Sequence, residues 1–321
     1  MSYSSISTCW FLTGPTACGK SALSLALAER LGAEILSLDS MAVYRGMDIG
    51  TAKPTAAERA RVPHHLIDLV EPDVEFSIAE YVAAAHRAVD DIRMRGRAPL
   101  FVGGTPLYLK ALLRGLFVGP AADWEFRRRM EAEAAERGEQ HLHARLTEVD
   151  PQAAARLHPR DRRRIVRALE VFEQTGQTLS SQQQQFDRAR PADACRCFVL
   201  DRPRAELVAR IDARVDAMFA AGLVEETRRL LTSHTSLSRT AGQAVGYREV
   251  IEHLRGERDL PATVELVKLR TRQFAKRQMT WFRSLSECRT VAVSGEIDAA
   301  KVVDRIVTAL NSASPHVPGG Q

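Results

Sequence analysis

Eight residues near the N-terminus, Gly14-Pro15-Thr16-Ala17-Cys18-Gly19-Lys20-Ser21, fit the pattern G-x-x-x-x-G-K-[ST]. In such a loop the backbone N–H groups curl round an anion, and a helix starting at the Lys adds its N-terminal dipole. Lys20 supplies a point charge, and Ser21 a hydroxyl that can ligate Mg²⁺. The pattern holds phosphates without saying which compound carries them. Nucleotide-dependent phosphoryl transfer usually adds a strand ending in an Asp that supports the metal. The best candidate strand here, P-L-F-V-G-G (99–104), ends in Gly-Gly, and I-L-S-L-D (35–39) ends at Asp39. A carboxylate at a strand end can take a proton from an incoming nucleophile. Thr105, directly after Gly103-Gly104, offers a hydroxyl, and it reads equally well as a plain helix N-cap. On these residues a small-molecule kinase, with Asp39 activating a hydroxyl, stays open. A non-catalytic RNA-binding module leaves the loop, Asp39 and G-G-T unexplained together.

These groups need a scaffold that brings strand ends together. Apolar runs predict strands over 9–14, 34–40, 64–70, 98–104, 196–201 and 288–293. Buried-helix spacing predicts a helix over 20–31, stopped by Gly32. Ser77 and Glu80 form a capping box opening a helix to about Arg95, and another starts near Thr105. Further helices are expected over 203–221, 222–232, 242–255, 261–284 and 297–311. Strands alternating with helices imply a parallel α/β sheet of the P-loop NTPase type. Residues 117–190 show no convincing strand and an Ala-, Glu- and Arg-rich helical pattern, polar at S-S-Q-Q-Q-Q (180–185). The organisation is therefore a catalytic α/β domain from 1–116 and 191–315, a helical insertion over 117–190, and a disordered tail at 316–321.

With 321 residues, 45% hydrophobic and 26% charged, the chain has the composition of a globular protein. No apolar run approaches the roughly 20 residues that span a bilayer, and no signal-peptide pattern opens the chain. No membrane association and a cytoplasmic location are expected. The five scattered cysteines read as reduced thiols, and the lone pair Cys195-x-Cys197 makes a zinc site unexpected. The net charge is +5, and its placement says more than its size. One cluster is R-D-R-R-R-I-V-R (160–167), containing Arg163, Arg164 and Arg167. A second holds Lys268, Arg270, Arg272, Lys276, Arg277 and Arg283 with no acidic residue between 266 and 283. It is interleaved with Phe274, Trp281 and Phe282. Cations bind phosphates, and aromatic rings stack unpaired bases. Phe274 reads rather as core; Trp281 fits either role.

Several longer stretches resemble one family, the bacterial tRNA dimethylallyltransferases, which prenylate the adenosine 3′ of the anticodon. They are G-P-T-A-C-G-K-S (14–21), L-D-S-M-A-V-Y-R-G-M-D-I-G-T-A-K-P (38–54), P-H-H-L-I-D (63–68) and V-G-G-T-P-L-Y-L-K-A-L-L-R-G-L (102–116). L-H-P-R-D-R-R-R-I-V-R-A-L-E-V-F (157–172), R-I-D-A-R-V-D-A-M (210–218), Q-A-V-G-Y-R (243–248) and R-Q-F-A-K-R-Q-M-T-W-F-R (272–283) follow in the family's order. D-I-G-T-A-K-P together with G-G-T-x-L-Y and K-R-Q-x-T-W is highly specific. Cys18 occupies a slot where a residue such as Ser is common.

The resemblance implies that Gly14–Ser21 bind the diphosphate of dimethylallyl diphosphate rather than a nucleotide, with Mg²⁺ on Ser21. It implies Asp39 as general base, Thr105 against the bridging oxygen and Arg214 on the diphosphate. Arg210, four residues earlier, shares a helical face with Arg214; Asp212 or Asp216 are the alternative partners for either. For the tRNA anticodon stem-loop, the implied contacts are Asp39, Ser40, Met41 and Ala42, and Arg163, Arg164 and Arg167. Gln243, Gly246, Tyr247 and Arg248 join them, with Lys276, Arg277, Gln278, Trp281 and Arg283. The target adenine must leave its stack to reach the pocket. A monomer is expected.

Overall fold

The computed structural model describes residues 6–117, 119–183, 189 and 191–311. Strands β1 (Trp10–Thr13) and β2 (Ala33–Leu38) are buried along their whole length. Strands covered on both faces by helices need that composition. With β3 (His64–His65), β4 (Ala98–Gly103), β5 (Arg196–Asp201) and β6 (Cys288–Ala292), they form a six-stranded sheet in the order β3-β2-β4-β1-β5-β6. Every pairing is parallel. All the strands therefore deliver their C-terminal ends to one edge, where open α/β sheets bind ligands.

Successive strand side chains point to opposite faces, and two cores result. Phe11, Leu36, Phe101 and Val199 pack on one face with Tyr44, Tyr81 and Phe282. Leu12, Ile35, Leu100 and Phe198 pack on the other with Leu23, Leu27 and Ile306. The helix Lys20–Leu31 ends as expected at Gly32, whose left-handed backbone (φ 59°) turns its N–H back to Ala28 and Glu29. Ser77 and Glu80 form their capping box at the start of Ile78–Met94.

The strand expected over 64–70 is reduced to two residues. Leu66 and Asp68 have positive φ (62° and 56°), which ends the ladder. The chain then docks on the loop after β2, through Asp68 N–H to Ala42 O and Leu69 N–H to Val43 O. The helix expected over 242–255 is broken at Gly246 (φ 98°) into Arg239–Gly242 and Tyr247–Leu254. A six-residue helix, Ala56–Arg61, has no counterpart in the sequence reading, though Thr55 and Glu58 form its capping box.

The chain divides into two compact units, Met1–Leu113 with Ala189–Gln321, and Arg114–Arg188. The second holds the helices Trp124–Arg137, Glu139–Val149, Pro151–Arg156, Arg162–Thr175 and Leu179–Gln182, with no strand among its described residues. Phe126, Met130, Leu142, Leu146, Ile165 and Leu169 give it its own core. The tail at 316–321, and Gln184 and Gln185 of the polar run, lie outside the described residues.

Candidate active site

β1 delivers Thr13, whose hydroxyl donates to Gly103 O (2.9 Å), and then the phosphate loop. The loop turns through Gly14 (φ 144°), Ala17 (φ 62°) and Gly19 (φ 109°) before the helix starts at Lys20. Pro15 and Cys18 are buried beneath it, Thr16 is partly covered, and Ser21 is exposed at the first helical turn. Three side chains from distant segments brace its backbone. Arg210 Nε donates to Ala17 O (2.9 Å), buried Arg202 Nε to Cys18 O (3.3 Å), and Thr16 N–H donates to Gln278 Oε1 (2.9 Å). Lys20 Nζ is folded onto Gly14 O (2.9 Å) and Pro15 O (2.6 Å). Burial pulls the Lys20 pKa down, with Arg214 adding repulsion and Asp39 working the other way.

β2 and β4 meet so closely at their ends that a Cβ on Gly103 would come within 2.2 Å of Leu38 O. That contact explains why β4 ends in glycine where a phosphoryl-transfer enzyme would place an Asp. It lets Thr105 N–H donate to Leu38 O (3.1 Å) and Ser40 N–H to Thr105 Oγ1 (3.1 Å). Thr105 stands at the N-cap position, its carbonyl accepting from Leu109 N–H (3.2 Å), while its hydroxyl oxygen accepts from the Asp39 loop. One Asp39 oxygen, Oδ1, accepts from Met41 N–H (2.8 Å) and Ala42 N–H (3.3 Å), fixing the carboxylate, while Oδ2 has no partner among the described residues. Tyr81 and Tyr108 are stacked 3.9 Å apart; burial first, then a neighbouring phenol (Tyr108 for Tyr81, Tyr44 for Tyr108) and the Asp39 charge raise both pKa values.

The helix Arg204–Ala220 presents Arg214 to the same region. Burial lowers the Arg214 pKa from its ordinary value, and Asp39 opposes the shift. The nearby acids are taken: Asp212 pairs with Arg272 (3.0 Å) and Asp216 with Lys268 (2.8 Å). Arg214 has no hydrogen bond or ion pair among the described residues, and it lines a cavity of about 590 Å³ with Ile49, Lys53, Arg59, Met218 and Ala221. The cavity's other wall is the 47–53 loop. Buried Glu226 holds it by accepting from Asp48 N–H (3.1 Å), Ile49 N–H (2.9 Å) and Tyr247 O–H (2.6 Å). Lys53 anchors the loop's end on Tyr44 O (2.6 Å), Asp48 (2.8 Å) and Asp68 (2.6 Å).

The residues expected to meet tRNA divide sharply. Gln243, Arg248, Lys276, Arg277, Trp281 and Arg283 are exposed, as are Arg163 and Arg164 of the helical unit. Ser40 and Met41 are partly exposed beside Asp39. Ala42, Gly246, Tyr247 and Gln278 are buried. Tyr247 hydrogen-bonds Glu226 and Gly50, and Gln278 bridges Thr16 and Gly104 (Nε2 to O, 2.6 Å). Arg167 is committed to fully buried Glu170 (2.6 Å) and to Pro120 O (3.0 Å). Phe274, read as core, is 37% exposed, because the helix turns Ala275, Gln278 and Phe282 inward instead; Trp281 is 42% exposed. Sequence reasoning missed Arg202, Glu226 and Lys53. Glu226 sits among charged neighbours on a helix and carries no local signal of burial; Lys53 belongs to the quoted D-I-G-T-A-K-P stretch.

A parallel α/β sheet with a phosphate loop at β1, a carboxylate at the end of β2 and a hydroxyl at the end of β4 defines a P-loop-like group transferase. The comparisons are specific about which. The family model described as IPP transferase matches residues 42–285, and one described as isopentenyl transferase matches 7–73. The chain is 50% identical over 308 residues to the tRNA dimethylallyltransferase of Rhodopirellula baltica, covering 93% of this chain and 92% of that one. A crystal structure of the tRNA isopentenylpyrophosphate transferase of Bacillus halodurans matches with a TM-score of 0.69 at 37% identity, covering 96% and 98%. That of a eukaryotic dimethylallyltransferase acting on tRNA matches with 0.76 at 26% identity, covering 96% and 80%. The chain belongs to the IPP transferase family, that of the tRNA dimethylallyltransferases, and the kinase alternative is not favoured.

Proposed function

We propose that this chain transfers a dimethylallyl group from dimethylallyl diphosphate to N6 of the adenosine 3′ of the anticodon in tRNA, releasing diphosphate. The observation that carries the reading is the pair at the strand ends. Asp39 is fixed through one oxygen with the other open, and the Thr105 hydroxyl is aimed by Ser40 N–H. An exocyclic adenine amine is a poor nucleophile because its lone pair is delocalised, so Asp39 Oδ2 accepts its proton as the N–C bond forms. The Thr105 O–H donates to the bridging oxygen as the allylic C–O bond breaks. Charge grows on the leaving diphosphate, where the free N–H groups of the loop, Lys20 and Arg214 stabilise it. Lys20 exchanges its two loop carbonyls for phosphate oxygens, and Arg214 needs no exchange, having no hydrogen bond or ion pair among the described residues.

Among the described residues no cluster of three or more His, Cys, Asp or Glu side chains could hold a metal ion. Exposed Ser21 nevertheless suits Mg²⁺, which takes few protein ligands and the rest from phosphates and water. Ser21 would hold it, and the ion would supply further neutralisation of the diphosphate. The exposed cations Arg163, Arg164, Lys276 and Arg277, with Trp281, suit the phosphates and unpaired bases of an anticodon stem-loop. No helix among the described residues is long and apolar enough to cross a membrane; we take the enzyme to act as a cytoplasmic monomer. The test is incubation with Mg²⁺, dimethylallyl diphosphate and bulk tRNA, followed by mass spectrometry of the nucleosides. A five-carbon addition on adenosine is expected; unmodified adenosine with ATP turnover in the absence of tRNA would return the kinase reading.

A further inference from the structure

We propose that Gln278 is a positioning residue that couples tRNA engagement on the Leu260–Arg283 helix to the geometry of the diphosphate loop; the inference rests on the function proposed above. The side chain is only 4% exposed, and its amide is used at both ends. Oε1 accepts from Thr16 N–H in the loop (2.9 Å), and Nε2 donates to Gly104 O (2.6 Å), next to Thr105. One residue therefore ties the diphosphate loop to the strand end that carries the leaving-group hydroxyl. The contact is built in: a Cβ on Gly104 would come within 2.6 Å of Gln278 Nε2, so only glycine admits the amide there.

The helix that carries Gln278 has two faces with opposite duties. Ala275, Met279 and Phe282 are buried in the protein, which makes the helix a stiff element. Arg277 and Trp281, within a turn of Gln278, face outward, and Arg277 has no ion pair or hydrogen bond among the described residues. A force applied to the outer face by phosphate contacts and base stacking shifts a packed helix as a body. The Gln278 amide shifts with it, and so does the Thr16 N–H that the amide holds. That N–H is spent on the amide, so the shift acts through the loop backbone, re-aiming the N–H groups that follow Thr16 in the diphosphate loop. Coupling of this kind is reciprocal, so the diphosphate must in turn tighten tRNA.

The test measures the affinity of a dimethylallyl diphosphate analogue with sulfur in place of the bridging oxygen. It is titrated with Mg²⁺, with and without saturating tRNA, into the unaltered chain, Gln278→Leu and Gln278→Glu. In the unaltered chain tRNA should tighten the analogue about fivefold or more. Gln278→Leu loses both hydrogen bonds, and the ratio should fall to within about twofold of one. Gln278→Glu keeps the acceptor for Thr16 but sets a carboxylate against Gly104 O, so the ratio should fall by less. A merely structural role would lower the melting temperature and both affinities while leaving the ratio intact. If Gln278→Leu does not fold, the Gln278→Glu ratio decides. A ratio of one in the unaltered chain, or an unchanged ratio in the folded variants, overturns the coupling. An unaltered chain that binds neither tRNA nor analogue overturns the proposed function itself.

Discussion

Asp39 is held by two backbone N–H groups and Thr105 by a third, whereas Arg163 and Arg277 have no hydrogen bond or ion pair among the described residues. The first pair sits where strands end, the second on exposed helix faces. At the strand ends, positions are set by backbone contacts. Small geometric errors there enter the barrier directly. On the helix faces, long cationic side chains search for phosphates through water and salt, and each contact contributes a little. The comparison also divides the basic clusters themselves. Arg167 and Arg272 face carboxylates inside their own units, so a charge run in the sequence overstates the surface offered to an anion.

The largest expected effect is at the strand end. Asp39→Ala should lower the single-turnover rate by about 10²–10⁴, the usual worth of a general base, while the thio analogue binds within a few-fold of the unaltered chain. Rates close to those of the unaltered chain in that variant would dissolve the distinction between the two regions.

Glu170 tests whether the helical unit keeps its own kind of precision, spent on stability. Its carboxylate is fully buried and accepts from Arg127 (2.8 Å), Arg167 (2.6 Å) and Asp123 N–H (2.7 Å). Burial works against its charge, but those donors outweigh burial and lower its pKa. Glu170→Gln leaves two arginines without their charge partner and should destabilise the unit by about 3–5 kcal/mol. Hydrogen exchange along Arg162–Thr175 would show it. The sign with pH follows from the lowered pKa. The stabilisation is complete above the ordinary carboxylate value of about 4.3 and is lost as pH falls through the lower folded value. Protection that drops on acidification in the unaltered chain should show no such drop in Glu170→Gln.

Much of the fold is legible because parallel strands are apolar runs and because Gly32 and the Ser77–Glu80 box mark helix ends locally. The limits are as physical. Nothing in L-I-D-L-V (66–70) announces that Leu66 and Asp68 adopt positive φ, since the cause is the docking of that segment on Ala42 and Val43. Asp39 and Thr105 could be found because strand-end positions follow from the pattern. Tyr247 and Gln278 carry polar groups inside motifs that suggested tRNA, yet both point inward. Burial of a polar group depends on partners such as Glu226 and Thr16, which lie far away in the chain.

Gly103→Ala sharpens the strand-end side of the comparison without touching a reactive group. The added Cβ would meet Leu38 O at 2.2 Å, which is backbone and cannot swing aside. Overpacking of this kind costs about 1–3 kcal/mol. The β2 and β4 ends must part, so the Ser40–Thr105 link should fail and turnover should fall further than the melting temperature alone would explain. Turnover that merely follows stability would mean that Thr105 does not depend on that approach.

The smallest effects belong to the helix faces, and they are additive. Arg277→Ala and Arg163→Ala each remove one cation that no carboxylate among the described residues neutralises. Each should reduce the slope of log affinity for tRNA against log salt concentration by about 0.7–0.9, the loss of one released counterion. Rates at saturating tRNA should stay close to those of the unaltered chain for Arg163→Ala. Arg272→Ala is the internal control: its guanidinium already faces Asp212 (3.0 Å), so its loss should leave the slope nearly unchanged. The three slopes together separate charge that is merely present from charge that is available. Equal slopes for Arg272→Ala and Arg277→Ala would show that the internal ion pairs open when tRNA arrives.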